Sequence, residues 1–116
     1  MEVGLNKLED VMILTIKGRS DVSNTSKLES ICNKLVKSQE QTILIDCTYL
    51  DYISSAGLRI LLKMAKQIKK SAGKLVVAHM NDYVQQIFEI SGFTELFPAY
   101  ESVLEALNKI HPVMHK

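Results

Sequence analysis

The first twenty residues predict a pair of neighbouring strands. Segment 11–17 is an apolar run rich in residues that favour strands, and it stops at Gly18. Segment 2–8 alternates apolar and polar positions, as a strand with one exposed face does. Between these two segments lie Glu9 and Asp10, two polar residues suited to a tight turn. The pattern therefore predicts a β-hairpin at the start of the chain.

A helix and a buried strand are expected next. The positions that recur at helical spacing are Leu28, Ile31, Cys32, Leu35 and Val36. They predict a helix over 24–38, with Ser26 and Glu29 as its capping box. Segment 41–46 then contains the uninterrupted apolar run 42–45, which is typical of a strand covered on both faces. We expect this run to be a central strand.

A second helix is predicted to begin near Ser55 and to end at Gly73. Its apolar face is formed by Leu58, Leu61, Leu62, Ala65 and Ile68. Segment 74–78 follows and reads as another buried strand.

Two further helices are expected in the last third of the chain. Asn81 is a favourable N-cap for the first, which ends at Gly92. Its inward positions are Val84, Ile87 and Phe88. Leu96 and Phe97 form a short apolar piece that could be a fifth strand, and a final helix is predicted over 101–109.

This order of elements predicts an α/β fold. Strands joined by crossover helices run parallel, whereas a hairpin is antiparallel, so the sheet should be mixed. We expect four or five strands and about four helices. One domain should span residues 1–110, with 111–116 as a short C-terminal tail.

Composition narrows the possible functions. The chain has 116 residues, of which 47% are hydrophobic and 23% charged, with a formal net charge of +1. This charge offers no bulk attraction for nucleic acid, and no segment is apolar enough for a membrane span or a signal peptide. We expect a cytoplasmic protein without nucleic acid or membrane partners. Cys32 and Cys47 do not form a zinc-ligand or disulfide pattern, and no cofactor is predicted.

The segment 46–58 carries the chemistry of interest, because it joins the carboxyl end of a buried strand to the start of a helix. Ser54 and Ser55 stand where a helix presents unpaired N–H groups and the positive end of its dipole. A phosphate would be tolerated there. Serine is also a common N-cap, so capping alone is the alternative interpretation of both residues.

The chain resembles the STAS domains of bacterial anti-sigma-factor antagonists over nearly its whole length. The residues that carry the resemblance are Gly18-Arg19-Ser20-Asp21, Asp46, Tyr52-Ile53-Ser54-Ser55-Ala56-Gly57-Leu58 and Glu89-Ile90-Ser91-Gly92-Phe93. Together these segments are specific, although none is specific alone. The resemblance implies the STAS fold.

The resemblance also implies a mechanism called partner switching. In this family a dephosphorylated antagonist binds an anti-sigma factor, which is also a serine kinase, and frees a sigma factor. The kinase phosphorylates the antagonist, and a metal-dependent serine phosphatase reverses the reaction. The phosphorylated serine of the family matches Ser55, with Ser54 as the secondary candidate. Many members have an aspartate where this chain has Ser54.

Several residues around this segment are candidates for partner binding. The acidic residue that the family carries before the first helix matches Asp21. Gly57 would let a partner approach closely. Arg59 begins a basic ridge with Lys63, Lys66 and Lys70, and Ile60 lies on another edge of the same helix. The predicted partner-binding set is Asp21, Ser54, Ser55, Gly57, Arg59 and Ile60.

Two alternatives stay open at the sequence level. Related domains have been proposed to bind nucleotides, so this chain could be a nucleotide-sensing STAS domain in which the N-terminus of the second helix and Asp21 weakly bind a purine nucleotide. It has no glycine-rich phosphate cradle. A serine hydrolase is the other alternative, but Ile53 occupies the upstream glycine position of a nucleophile elbow around Ser55. We therefore predict a regulatory protein and not an enzyme.

Overall fold

The computed structural model describes residues 2–20, 25–38 and 41–111. Its first two strands, β1 (Glu2–Leu8) and β2 (Val11–Ser20), pair antiparallel. The turn between them consists of Glu9 and Asp10, and Glu9 adopts a φ of 56° that completes the reversal. The predicted hairpin is confirmed.

The centre of the sheet is the strand β3 (Thr42–Asp46), which lies between β2 and β5 (Lys74–Ala78) and is parallel to both. Its apolar run 43–45 is fully buried, as expected for a strand covered on both faces. The short strand β6 (Ala99–Tyr100) extends the sheet by pairing parallel to the end of β5.

Helices cover both faces of this sheet. They are α1 (Thr25–Lys37), α2 (Ser55–Lys70), α3 (Asp82–Ile90), α4 (Phe93–Leu96) and α5 (Val103–Ile110). The main hydrophobic core lies between one face and the first four helices, and a smaller core lies under α5 on the other face. Alternation along β3 divides these cores, because Ile43 and Ile45 point into the larger one and Leu44 into the smaller one.

A further strand, β4 (Leu50–Ile53), was not predicted from the sequence. It runs parallel to the last part of β2, whereas β3 pairs with the first part. The register shifts between Gly18 and Arg19. Gly18 has a φ of 85°, and its N–H donates to the Tyr49 carbonyl at 2.8 Å. Glycine adopts this conformation at low cost, so β2 can turn from one partner strand to the next.

The predicted α/β class and mixed sheet are confirmed, with differences in detail. The described residues contain six strands and five helices, one more strand and one more helix than the upper expectation. Leu96 and Phe97 were the candidate for an optional fifth strand; instead Leu96 ends α4, and the last strand begins at Ala99. The capping box was also wrong, because α1 begins at Thr25 and Ser26 already lies inside the helix.

Both cysteines are free and buried in the main core. Burial raises the pKa of Cys32 to about 12, and the Glu29 carboxylate acts in the same direction. Burial also raises the pKa of Cys47, with a smaller contribution from Asp46. Neither thiol is therefore reactive near neutral pH, because the thiolate is the nucleophile.

The end of the described chain is tied back to its beginning. The imidazole of His111, just after α5, contacts the Asp10 carboxylate in the first turn. Residues 112–116 lie outside the described residues. Within the described ranges, no helix combines the length and the apolar character needed to cross a membrane.

Candidate functional site

Ser54 is the N-cap of α2. It has extended backbone angles, and its side-chain oxygen accepts a hydrogen bond from the Gly57 N–H at 3.2 Å. Only 6% of Ser54 is exposed, because it lies between the end of β4 and the first helical turn. The hydroxyl therefore satisfies one of the N–H groups that a helix leaves unpaired at its start.

Ser55 is the first residue of α2 and, unlike its neighbour, is exposed to solvent. The first turn of the helix contains no acidic residue, so no carboxylate there already compensates the positive end of the dipole. The two serines therefore differ in structure, because Ser54 caps the helix and is buried, whereas Ser55 is exposed to solvent.

The edge around these serines is built by the pairing of β2 with β4. Ser20 lies opposite Ile53, and Arg19 lies opposite Tyr52. The carboxyl ends of both strands therefore lie side by side, directly before α2. Asp21 follows β2 in the chain, but it lies outside the described residues.

A cation and two tyrosines form a stack at this edge, which we call the Arg19–Tyr52–Tyr83 stack. The Arg19 guanidinium carbon is 4.5 Å from the centre of the Tyr52 ring. The Tyr52 and Tyr83 rings are stacked, with their centres 5.5 Å apart and their planes inclined by 20°. Arg19 is exposed, as is Tyr83, so the stack is part of the surface.

Asn81 holds α3 beside this stack. Its side-chain oxygen accepts a 2.7 Å hydrogen bond from the Val84 N–H, which makes it the N-cap of α3. Its amide group donates to the carbonyl oxygens of Leu50 at 3.1 Å and Asp51 at 3.4 Å. One side chain thus fixes the start of α3 against β4 and places Tyr83 next to Tyr52.

The other predicted partner-binding residues, which belong to α2, differ in their exposure to solvent. Gly57 is buried, so it presents little surface for a partner, and its N–H serves the cap. Arg59 is exposed, whereas Ile60 is half-buried and packs against the main core. The basic ridge is exposed at all four positions: Arg59, Lys63, Lys66 and Lys70.

Asp46, which is one of the residues that carry the family resemblance, has a local structural role. Its carboxylate accepts hydrogen bonds from the backbone N–H of Thr48 at 3.0 Å and from the Thr48 hydroxyl. These bonds shape the turn between β3 and β4. Elsewhere, the described part of the chain contains no group of three or more His, Cys, Asp or Glu side chains placed to hold a metal ion.

Sequence reasoning missed the functional potential of the Arg19–Tyr52–Tyr83 stack. Arg19 and Tyr52 belong to segments that carry the family resemblance, but neither was predicted to bind a partner. Tyr83 was not part of any prediction. The available signal was a tyrosine on the outward side of the helix that Asn81 caps, since aromatic residues are enriched at interfaces.

Comparison with known proteins agrees with this architecture. The family model of the STAS domain matches residues 3–106. BtrV of Bordetella bronchiseptica, named as a candidate anti-sigma factor antagonist, is 36% identical over 88% of both chains. The fold is also similar to that of an anti-sigma factor antagonist from Mycobacterium paratuberculosis, with a TM-score of 0.86, 20% identity and coverage of 94% and 92% of the two chains.

A third relative is the anti-sigma factor antagonist SpoIIAA, solved in its unphosphorylated form. Its TM-score is 0.83 at 15% identity, with 98% of this chain and 100% of that chain covered. The phosphorylated form of SpoIIAA from Bacillus gives a TM-score of 0.76 at 14% identity, with coverage of 95% and 100%. At these identities the structures establish a common fold. With the family model matching most of its length, the chain belongs to the STAS-domain family.

Proposed function

We propose that this chain is an anti-sigma factor antagonist that exchanges partners according to the phosphorylation of Ser55. In the dephosphorylated state it binds an anti-sigma factor and thereby releases a sigma factor. Two similar proteins, BtrV and SpoIIAA, are named as anti-sigma factor antagonists, and SpoIIAA has been solved in both phosphorylated and unphosphorylated forms. Both observations support the proposal. The role is regulatory, and no catalytic residue is assigned.

The observation that carries the proposal is the contrast between the two serines. The Ser54 hydroxyl is buried and engaged with the Gly57 N–H, so a kinase would have to break the cap to reach it. Ser55 is exposed at the start of the helix. We therefore assign the phosphate to Ser55 and the structural role to Ser54.

The phosphate acts on the partner and leaves the fold in place. It adds a charge of about −1.5 to −2 at neutral pH. At an exposed helix start, the dipole stabilises a negative charge by about 0.3 to 1 kcal/mol, so the domain itself tolerates the group. Opposing like charges across an interface cost several kcal/mol, and about 1.4 kcal/mol changes affinity tenfold. Phosphorylation can therefore abolish a micromolar complex without unfolding this domain.

The surface that the partner meets is the edge around Ser55. It includes Arg59 on the next part of the helix and the Arg19–Tyr52–Tyr83 stack at the carboxyl ends of β2 and β4. Tyrosine and arginine are the residue types that most often dominate binding energy at interfaces, because they bury a large area with few rotatable bonds and still form polar contacts. Asp21 stays in the proposed partner-binding set on the family resemblance alone, because it lies outside the described residues.

The phosphate is added by the partner, which is an anti-sigma factor with serine kinase activity, and is removed by a metal-dependent serine phosphatase. The exposed basic ridge from Arg59 to Lys70 is suited to attract an acidic face of such a partner before contact. This attraction should raise the association rate and weaken with added salt.

The test is phosphorylation by the cognate anti-sigma factor kinase. The wild type, Ser55→Ala and Ser54→Ala are incubated with the kinase and ATP, and the modified residue is located by mass spectrometry. We expect phosphate on Ser55 in the wild type and in Ser54→Ala, and none in Ser55→Ala. Phosphate that persists in Ser55→Ala, or its absence from the wild type, would contradict the proposal.

A further inference from the structure

A groove of about 300 Å³ lies at the opposite end of α2 from Ser55. It follows the part of β5 that β6 leaves uncovered, because β6 pairs only with Val77 and Ala78. Leu75 and Val76, which belong to the larger and smaller cores respectively, meet at this edge. The walls of the groove are the last turns of α2 and α5 and the segment 96–98.

The floor of the groove is apolar. Beside the β5 residues it is formed by Leu96, Phe97, Pro98 and Ile110. Leu96 is 41% exposed, so part of its apolar surface is open to solvent in the groove. An apolar floor at a sheet edge is suited to hold the hydrocarbon part of a ligand.

Three lysines from three different elements surround this floor. They are Lys69 at the end of α2, Lys74 at the start of β5 and Lys109 at the end of α5. The Lys69 ammonium group lies 5.8 Å from the centre of the Phe97 ring. Among the described residues, no aspartate or glutamate lines the groove. In a chain whose net charge is only +1, this is a local concentration of positive charge.

The combination selects one class of ligand. An apolar floor with cationic side chains at its rim is complementary to a molecule with a hydrocarbon part and a single negative group. The groove is open to solvent, so its volume indicates only how much of a ligand it covers. A volume of 300 Å³ corresponds to about ten non-hydrogen atoms if each takes the ~30 Å³ of a liquid water molecule.

We propose that this groove binds a medium-chain amphipathic anion, an alkyl carboxylate of about ten non-hydrogen atoms. The hydrocarbon chain lies on Leu75, Phe97 and Ile110, and the carboxylate lies among the three lysines. The site is separate from the phosphorylation edge, because Ser55 and Lys69 are fourteen positions apart on one helix, or about 21 Å at 1.5 Å per residue. The inference goes beyond the proposed function and does not depend on it.

Sodium octanoate is the probe, because it has ten non-hydrogen atoms and one carboxylate. It is titrated into the full chain while backbone amide shifts are followed by NMR, at constant ionic strength. We expect saturable shifts at Leu75, Val76 and Ile110 with a Kd on the order of 1 mM, and none at Gly57. Sodium butyrate, which has a shorter hydrocarbon chain, and 1-octanol, which has no charge, should each bind several-fold more weakly.

Substitution of the lysines tests the assignment of the charge. Lys74→Gln combined with Lys109→Gln should raise the Kd for octanoate roughly threefold to tenfold. The matched control is Lys63→Gln combined with Lys66→Gln, which removes two exposed charges from α2 outside the groove and should leave the Kd unchanged. The melting temperatures of both variants are measured, so that a loss of binding is not confused with unfolding.

Several results would overturn the proposal. They are the absence of saturable shifts at roughly 10 mM octanoate, equal affinity for 1-octanol, and an unchanged Kd in the Lys74 and Lys109 double variant. Shifts of the same amides with protein concentration alone would assign the groove to a second copy of the chain instead.

Discussion

The Gly57 N–H donates a 3.2 Å hydrogen bond to the Ser54 hydroxyl, and this bond separates the roles of two adjacent serines. It uses the buried hydroxyl to hold the start of α2 and leaves the neighbouring hydroxyl of Ser55 outside. The aspartate that many family members have at position 54 is compatible with this geometry, because a carboxylate is an equally good N-cap acceptor. Its replacement by serine preserves the cap and removes one charge.

The first prediction concerns the stability of the helix start. Ser54→Ala leaves the buried Gly57 N–H without its acceptor, so the free energy of unfolding should fall by about 1 kcal/mol and the melting temperature by about 4 °C. Ser54→Asp should retain most of the stability, and Ser55→Ala should change it by no more than about 0.5 kcal/mol. Denaturation in urea measures all three. Equal losses for Ser54→Ala and Ser55→Ala would contradict the assignment of the cap.

The second prediction concerns charge at the two ends of α2. Ser55→Asp places a negative charge at the positive end of the dipole, so the fold should keep its stability or gain about 0.3 to 1 kcal/mol. Its affinity for the anti-sigma factor should nevertheless fall at least about tenfold.

Ser71→Asp is the matched control, because it places the same charge at the C-cap of the same helix. It should lower stability by a similar amount and leave partner affinity unchanged. Thermal denaturation and calorimetric titration measure both quantities. A marked loss of stability in Ser55→Asp would refute the idea that the phosphate acts on the partner alone.

Much of the fold could be predicted because its elements have long or strongly apolar patterns. The run 42–45, in which three consecutive aliphatic residues follow Thr42, indicated the central strand, and segment 74–78 matches β5 residue by residue. The strand β4 could not be found in this way. It has only four residues, with Leu50 and Ile53 buried and a more polar pair between them, and its partner strand lies far earlier in the chain.

The same limit applies to the candidate site. The sequence placed two serines at a helix start, but the choice between cap and exposed hydroxyl depends on the backbone angles of Ser54. The contact of Tyr52 with Tyr83 depends on how Asn81 joins α3 to β4, which no local pattern contains. The close approach of a partner to Gly57 stays a prediction, and the structure adds that this residue is buried in the first turn of α2.

The third prediction concerns the Arg19–Tyr52–Tyr83 stack. Tyr83→Ala should reduce affinity for the anti-sigma factor at least about tenfold, because exposed tyrosines in such stacks are frequent hot spots. Arg19→Gln should also reduce it, and should lower stability by only about 0.5 to 1 kcal/mol through loss of the cation–π contact.

Tyr49→Ala is the control for this surface. Tyr49 is 61% exposed and has the Lys17 ammonium 5.5 Å from its ring centre, so it is a similar cation and tyrosine pair. It lies just before β4, and the four residues of that strand, which span about 13 Å, separate it from the serines. Its substitution should leave affinity unchanged, and equal effects of Tyr49→Ala and Tyr83→Ala in calorimetric titration would argue against a localised interface.

The fourth prediction concerns the turn between α2 and β5. A Cβ atom on Gly73 would lie 2.8 Å from Ile68 Cγ2, 3.0 Å from the Gln41 carbonyl oxygen and 3.1 Å from the Ile68 carbonyl oxygen. Gly73→Ala should therefore lower stability by about 1 to 3 kcal/mol. At Gly4 a Cβ would meet nothing within 4 Å, so Gly4→Ala should be neutral or stabilise by up to about 1 kcal/mol. Urea denaturation of both variants tests this difference.

The last prediction concerns the contact between Asp10 and His111. The hydrogen bond from the imidazole holds the pKa of the Asp10 carboxyl below its ordinary value of 3.8. The stability that this carboxylate provides is therefore fully present above pH 3.8 and is lost as the pH falls through the lowered folded-state value. Both side chains are largely exposed, so the contribution is small.

His111→Ala should return the pKa of Asp10 toward 3.8, as followed by the carboxyl carbon shift in an NMR pH titration. Lys7→Gln is the comparison, because the Lys7 charge lowers the same pKa less than the imidazole does. Its effect should be smaller for that reason. If the two variants raise the Asp10 pKa equally, or if His111→Ala leaves it unchanged, then the imidazole does not hold α5 to the first hairpin through this carboxylate.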